Sequence, residues 1–358
     1  MNMVLPQSNF FTTDPAAAAV PLVEITRGDI VESRHLGALA VVDAHGRLVA
    51  SAGDPFYVTY LRSSAKPFQA LPTVASGAFD ATGLSQDALA LICASHHGTE
   101  EHVAVCQRIL DASGLDVAAL RCGIHWPIDE DASRRLAAAG LTPDPRHNNC
   151  SGKHSGMLTL ATYWGCADQD YTDPRHPVQT AIMQRLAEFA GLPPDAIAVA
   201  PDNCTVPSFA MPLANAALAY ARLVDPAAPD EARRIVAAMQ AYPHLISGHG
   251  ALDDTLMRAG AGALVAKGGA EGFQGIGIRT PDGRSLGFTL KMADGSPRAK
   301  GPVIYAVLRS LGLVDGAVLA ALEPLRRLEV RNHRQIVVGE MRSVFDLTTY
   351  DPPLELVH

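Results

Sequence analysis

Arg62-Ser63-Ser64-Ala65-Lys66-Pro67-Phe68-Gln69 is the stretch around which the rest of the chain is organised. If it opens a helix, Ser63 and Lys66 stand three residues apart on one face. Pro67 fits a first helical turn, where its missing N–H costs nothing. The macrodipole at that end favours a developing anion on Ser63. A hydroxyl beside an amine is a minimal nucleophile and base, because a desolvated or cation-crowded lysine can lose its proton and accept the serine's. Such a pair arises by chance often enough that spacing alone identifies nothing.

Cation usage adds weight. The chain carries 29 basic residues, of which only Lys66, Lys153, Lys267, Lys291 and Lys300 are lysines. Arginine serves as the routine surface cation, so a retained lysine is one whose proton matters.

Working outward, aliphatic runs at 22–26, 36–42 and 48–52, with a turn at Asp43-Ala44-His45-Gly46, predict antiparallel strands near the N-terminus. Runs at 264–267, 273–279 and 286–292, separated by Gly268-Gly269 and Pro281-Asp282-Gly283, predict strands again near the C-terminus, with a last one at 336–338. Between them the pattern is helical: Thr99 caps a helix to about Ser113, and others follow over 132–139, 152–163, 179–190 and 232–241. A further helix is expected over 302–311. Strands bracketing helices predict an α+β fold, one antiparallel sheet with a helical insertion over about 84–260. Residues 1–20 read as a loose leader and 21–358 as a single domain.

The chain has 358 residues, 48% of them hydrophobic and 18% charged, and a formal charge of -8. That length allows a substantial core, and the charge argues against nucleic acid as a partner. No apolar run is long enough to span a membrane. Six dispersed cysteines without a secretory signal read as cytoplasmic thiols.

Three further stretches combine titratable or nucleophilic groups with small residues: Cys93-Ala94-Ser95-His96-His97-Gly98, His147-Asn148-Asn149-Cys150-Ser151-Gly152-Lys153-His154, and Ala266-Lys267-Gly268-Gly269-Ala270-Glu271-Gly272. The glycines after Lys267 allow another backbone or a ligand to come close. Cys150, Lys153 and the later Cys204 offer sulfur and nitrogen to zinc, although no Cys-x-x-Cys or His-x-x-x-His spacing supports it.

Together with Glu24-Ile25-Thr26-Arg27-Gly28 and Val31-Glu32-Ser33-Arg34-His35, these stretches resemble the Rhizobium etli type L-asparaginase II family, from about residue 22 to near 340. The resemblance implies a fold similar to that of serine β-lactamases, penicillin-binding proteins and glutaminases. It implies hydrolysis of L-asparagine by two serine–lysine pairs, Ser63 with Lys66 and Ser95 with Lys267. It also implies a zinc ion on Cys150, Lys153 and Cys204, substrate contacts from Arg62, Asn149, Asp202 and Gly268, and a cytoplasmic homodimer. Asn203 and Thr205 depart from the family pattern, which has glycines around Cys204, and no arginine stands near Ala251. The rival readings are a β-lactam-reactive enzyme, a hydrolase of glutamine or another small amide, and a non-catalytic amino-acid- or zinc-binding protein.

Overall fold

The computed structural model describes residues 12–167 and 170–356; most of the expected leader, residues 1–11, lies outside them. Twelve strands occur among these residues: β1 Val20–Arg27, β2 Ile30–Asp43, β3 Arg47–Ala52, β4 Val58–Tyr60, β5 Ala198–Pro201, β6 Pro207–Pro212, β7 Leu264–Gly268, β8 Phe273–Arg279, β9 Ser285–Met292, β10 Arg327–Arg331, β11 Val337–Ser343 and β12 Thr348–Glu355. The main sheet runs β10-β11-β1-β2-β9-β8-β7, every pairing antiparallel. β2 is long enough to hold β1 along its first half and β3 along its second, and β12 closes on β3. N- and C-terminal strands therefore interleave in one sheet, and the helices fall between β4 and β7, apart from the single turn Pro15–Ala18 before β1 and a set after β9. This is the expected α+β arrangement.

The Leu213–Leu223 helix seats the insertion on the sheet. Sequence periodicity does not mark it, because ten of its eleven residues are buried and it has no polar face. Its backbone lies in a trough of glycines: a Cβ on Gly287 would stand 1.7 Å from Ala217 O, and one on Gly275 2.1 Å from the Tyr220 ring. Substituting either would push the helix off the sheet, since close-packed interiors absorb little added volume. A second sheet, β4-β6-β5, was also not evident in the sequence; proline begins and ends β6 and ends β5.

Retained lysine proves to be internal lysine. All five are buried, none more than 8% exposed. Among the described residues, no helix is long and apolar enough to cross a membrane.

Candidate active site

The opening stretch folds as a 3-10 turn over Arg62–Ala65 that runs into the Lys66–Ala75 helix, with Pro67 in its first turn. Arg62 enters the turn with φ +51°, a left-handed conformation that non-glycine residues seldom adopt. Thr205 at φ +77° and Glu271 at φ +57° directly follow Cys204 and Ala270, which line one cleft with Arg62. Strain of this kind persists where surrounding structure fixes it, and it collects at functional sites.

The neighbouring serines have different duties. Ser64 is fully buried; its Oγ donates to Lys267 O, and its own carbonyl accepts from Tyr220 Oη at 2.7 Å. Ser63 lines a cleft of about 370 Å³ together with Arg62, His125, Asn149, Cys150, Asp202 and Cys204. A Cβ on Gly269 would lie 2.4 Å from Leu61 O, so the glycine after β7 is what admits the backbone leading into the turn. Lys267 is thereby tied to the turn across some two hundred residues of sequence.

Helix packing brings in the other two stretches. Gly152 stands against the end of the Gln86–Ile92 helix, where a Cβ would meet Leu91 O at 2.1 Å. This contact sets the start of the Ser151–Tyr163 helix beside Ala94 and Ser95. Lys66 Nζ then lies 2.6 Å from Ala94 O, 2.9 Å from Ser95 Oγ and 3.2 Å from Asn149 O. The pairing differs from the one expected: Lys66 bonds Ser95, and among the described residues no hydrogen bond joins Lys66 to the Ser63 side chain or Lys267 to the Ser95 side chain. Lys267 Nζ instead donates to Gly268 O at 2.7 Å and lies 3.7 Å from Asp253 Oδ2.

Burial lowers the pKa of Lys66; the Cys150 sulfur is the largest opposing influence, with Lys153 reinforcing the shift and Cys204 opposing it. As an ammonium, Lys66 donates to all three oxygens. As an amine, it keeps N–H bonds to the two carbonyls and turns its lone pair to the Ser95 hydroxyl. Burial also brings Lys267 down to about 8, with Asp253 opposing and Lys66 and Lys300 reinforcing the shift. Lys267 thus exchanges its proton within the range where enzymes work, and Lys66 is shifted in the same direction.

Behind Lys267 lies a network that the sequence did not reveal. Asp253 accepts from Gly268 N and from Gln274 Nε2, each at 2.9 Å, and Lys300 donates to Gln274 Oε1 at 2.9 Å. The scarcity of lysine marks Lys300; nothing marks Asp253, which reads as an acid in the first turn of the Leu252–Gly260 helix. His125 was also missed. Its Nε2 accepts from Asn149 N at 2.9 Å and holds the cleft wall.

Arg62 and Asp202 face one another, Nη2 to Oδ1 at 2.7 Å, with Arg62 also reaching Asn203 Oδ1 at 3.1 Å. Burial opposes ionisation of Asp202, yet Lys153 and Arg62 outweigh it and keep the carboxyl below its ordinary value. One charge of each sign at a cleft suits an α-amino acid zwitterion. Gly268 turns its N–H to Asp253 and its carbonyl to Lys267.

Cys150, Lys153 and Cys204 meet at the cleft floor. Lys153 Nζ lies 3.0 Å from Cys204 Sγ. The hydrogen bond from Cys204, helped by Lys66 and Lys153, holds the Cys150 thiol well below its usual range despite burial. Two sulfurs, one of them readily ionised, fit a thiophilic divalent ion; against burial, the two sulfurs hold Lys153 as an ammonium, so it joins them as a ligand only when the ion displaces its proton. A separate group of possible ligands, Glu101, His244 and His249, lies elsewhere.

Residues 23–343 match the family model described as L-asparaginase II. No curated protein matches the chain. Among solved structures, Mglu in its native form in 4.3M NaCl aligns at 16% identity over 78% of this chain and 62% of that chain, with a TM-score of 0.35. The L-glutamate binding form of Mglu in the same salt gives 16% identity, 78% and 61% coverage, and a TM-score of 0.35. The chain thus spans less than two thirds of the length of Mglu.

Proposed function

The chain belongs to the L-asparaginase II family, and on that premise we propose that it hydrolyses L-asparagine to L-aspartate and ammonia by a serine–lysine mechanism. The observation that carries this reading is the 2.9 Å contact between buried Lys66 and Ser95, one turn from Ser63 and beside the Arg62–Asp202 pair. Arg62 takes the substrate α-carboxylate and Asp202 its α-ammonium, which turns the side-chain amide toward the serines. Ser63 Oγ attacks the amide carbon and its proton passes to neutral Lys66. Lys66 returns a proton through Ser95 to the departing nitrogen, so ammonia leaves and an ester to Ser63 remains. Water then cleaves the ester by the same route in reverse.

Cys150, Lys153 and Cys204 would hold a zinc ion, which when bound supplies a positive centre that helps fix the substrate. The chain's own serines supply the nucleophile.

The test is ammonia release from asparagine and glutamine side by side, with Ser63→Ala and Lys66→Met as controls. Wild-type release by Lys66→Met would remove the proposed base. A second reading, attack by Ser95, draws on its direct bond to Lys66. Mass spectrometry of the trapped acyl-enzyme distinguishes the two by the serine that carries the mass. The glutamine arm is needed because one methylene in a pocket is worth only about 1–3 kcal/mol of discrimination.

A further inference from the structure

We propose that Glu101, His244 and His249 form a second metal site, for a divalent transition ion bound through imidazole and carboxylate, separate from the sulfur-bearing cleft. Each residue offers one ligand atom, and the three atoms lie within 4.8 Å of one another. The His244 and His249 rings stack, centroids 4.8 Å apart and planes 7° from parallel, and His244 Nε2 is 3.3 Å from Glu101 Oε1. Ligands of a tetrahedral ion with bonds of about 2.0–2.1 Å stand roughly 3.3 Å apart, so the Glu101–His244 edge already has the needed span. Only His249 has to move. It is exposed, so rotation of its side chain is the adjustment the third ligand requires.

The two other ligands are held in place before any ion arrives. Glu101 sits in the first turn of the Glu100–Ala112 helix. On the same helix, His102 is fixed by Thr99 through Nδ1, and its Nε2 lies 3.3 Å from His244 O, which anchors the backbone of the second ligand. Two imidazoles and a carboxylate suit zinc, cobalt or nickel.

The site has a route to the reaction centre. Ile246 O accepts from Ser95 N at 2.8 Å, and Ser247 O from His97 N at 2.7 Å. Gly248 lies against the His97 ring, where a Cβ would come within 2.5 Å. An ion joining Glu101 to His244 and His249 therefore clamps, at both ends, the segment that positions Ser95. The site itself does not depend on which amide is hydrolysed.

Equilibrium dialysis of the full chain against Co2+ tests this, with bound ions counted by elemental analysis and the spectrum followed for thiolate-to-cobalt charge transfer. His249→Ala, an exposed change, is expected to lose one bound ion relative to wild type with any charge-transfer band intact. Cys204→Ser is expected to lose that band and keep the other ion. Co2+ should raise the Tm of Cys204→Ser but not that of Cys204→Ser combined with His249→Ala. Glu101→Gln repeats the test on the helix side. Equal binding by wild type and His249→Ala, or loss of every ion in Cys204→Ser, would overturn the proposal.

Discussion

On one side of the Arg62–Ala65 turn, Lys66 meets two carbonyls and a hydroxyl with the Cys150 sulfur beside them, and among the described residues no carboxylate stands against it. On the other, Lys267 and Lys300 share the single carboxylate of Asp253, one directly and one through Gln274. Both arrangements bury ammonium groups, which costs several kcal/mol per ion unless the charge is paired or given up. The comparison teaches that the fold pairs some lysines and leaves another to shed its proton. Lys66 is fitted to give up its charge beside Ser95, whereas the Asp253 network holds Lys267 in position with a proton affinity that is lowered but not abolished.

The largest expected effect breaks the first arrangement. Lys66→Met fills the buried stem with apolar atoms and should lower ammonia release from asparagine by about 10²–10⁴-fold, the usual worth of a positioned base. Circular dichroism should be unchanged, and a variant that keeps wild-type turnover would leave Lys66 without a chemical role. Asp253→Asn breaks the second. It strands two lysines without their shared carboxylate and should destabilise the fold by about 3 kcal/mol, read from urea unfolding. An unaltered midpoint would mean the carboxylate is not what offsets those charges.

A pH series sharpens the contrast. Folded Lys267 releases its proton near 8, against an ordinary 10.5. Between these values the unfolded chain binds more protons than the folded one, so the unfolding free energy contributed by Lys267 climbs as pH rises through the window. The climb is at most about 3 kcal/mol, at 1.36 kcal/mol per unit. The difference between wild type and Lys267→Met isolates it, and a difference independent of pH from 8 to 10 would contradict the lowered affinity. The smallest effect concerns strain on the cleft side. Thr205→Gly relieves a left-handed β-branched residue, a gain of about 1–2 kcal/mol offset by glycine's backbone entropy and by the lost bond from Thr205 Oγ1 to Arg121 O at 2.9 Å. A net change within about 1 kcal/mol is expected; a larger loss would show that the hydroxyl holds the Cys204 loop.

Much of the sheet was legible because its strands are runs of aliphatic residues closed by glycine turns, and the observed β7, β8 and β9 follow the expected bounds to within two residues. The Leu213–Leu223 helix was not, since a helix buried all round has no period to read. The four chemical stretches stood out by composition, and all four converge on one place. Their pairing could not be read: a lysine side chain reaches several neighbours, and the backbone just before Ser95 is seated by Leu91 against Gly152, a residue distant in sequence from both serines. At Thr205 the sequence carried a usable clue. The resemblance implies glycine near Cys204, and Thr205 there has a left-handed backbone.

The burial of every lysine has a practical side. The folded protein offers amine-reactive reagents no side-chain target, since all five ammonium groups lie inside. Acylating labels, aldehyde cross-linkers and lysine-specific proteases should pass over the native chain and mark it only as it opens. Lysine modification would then serve as a clock for unfolding, with each newly labelled position reporting which part of the interior has become wet.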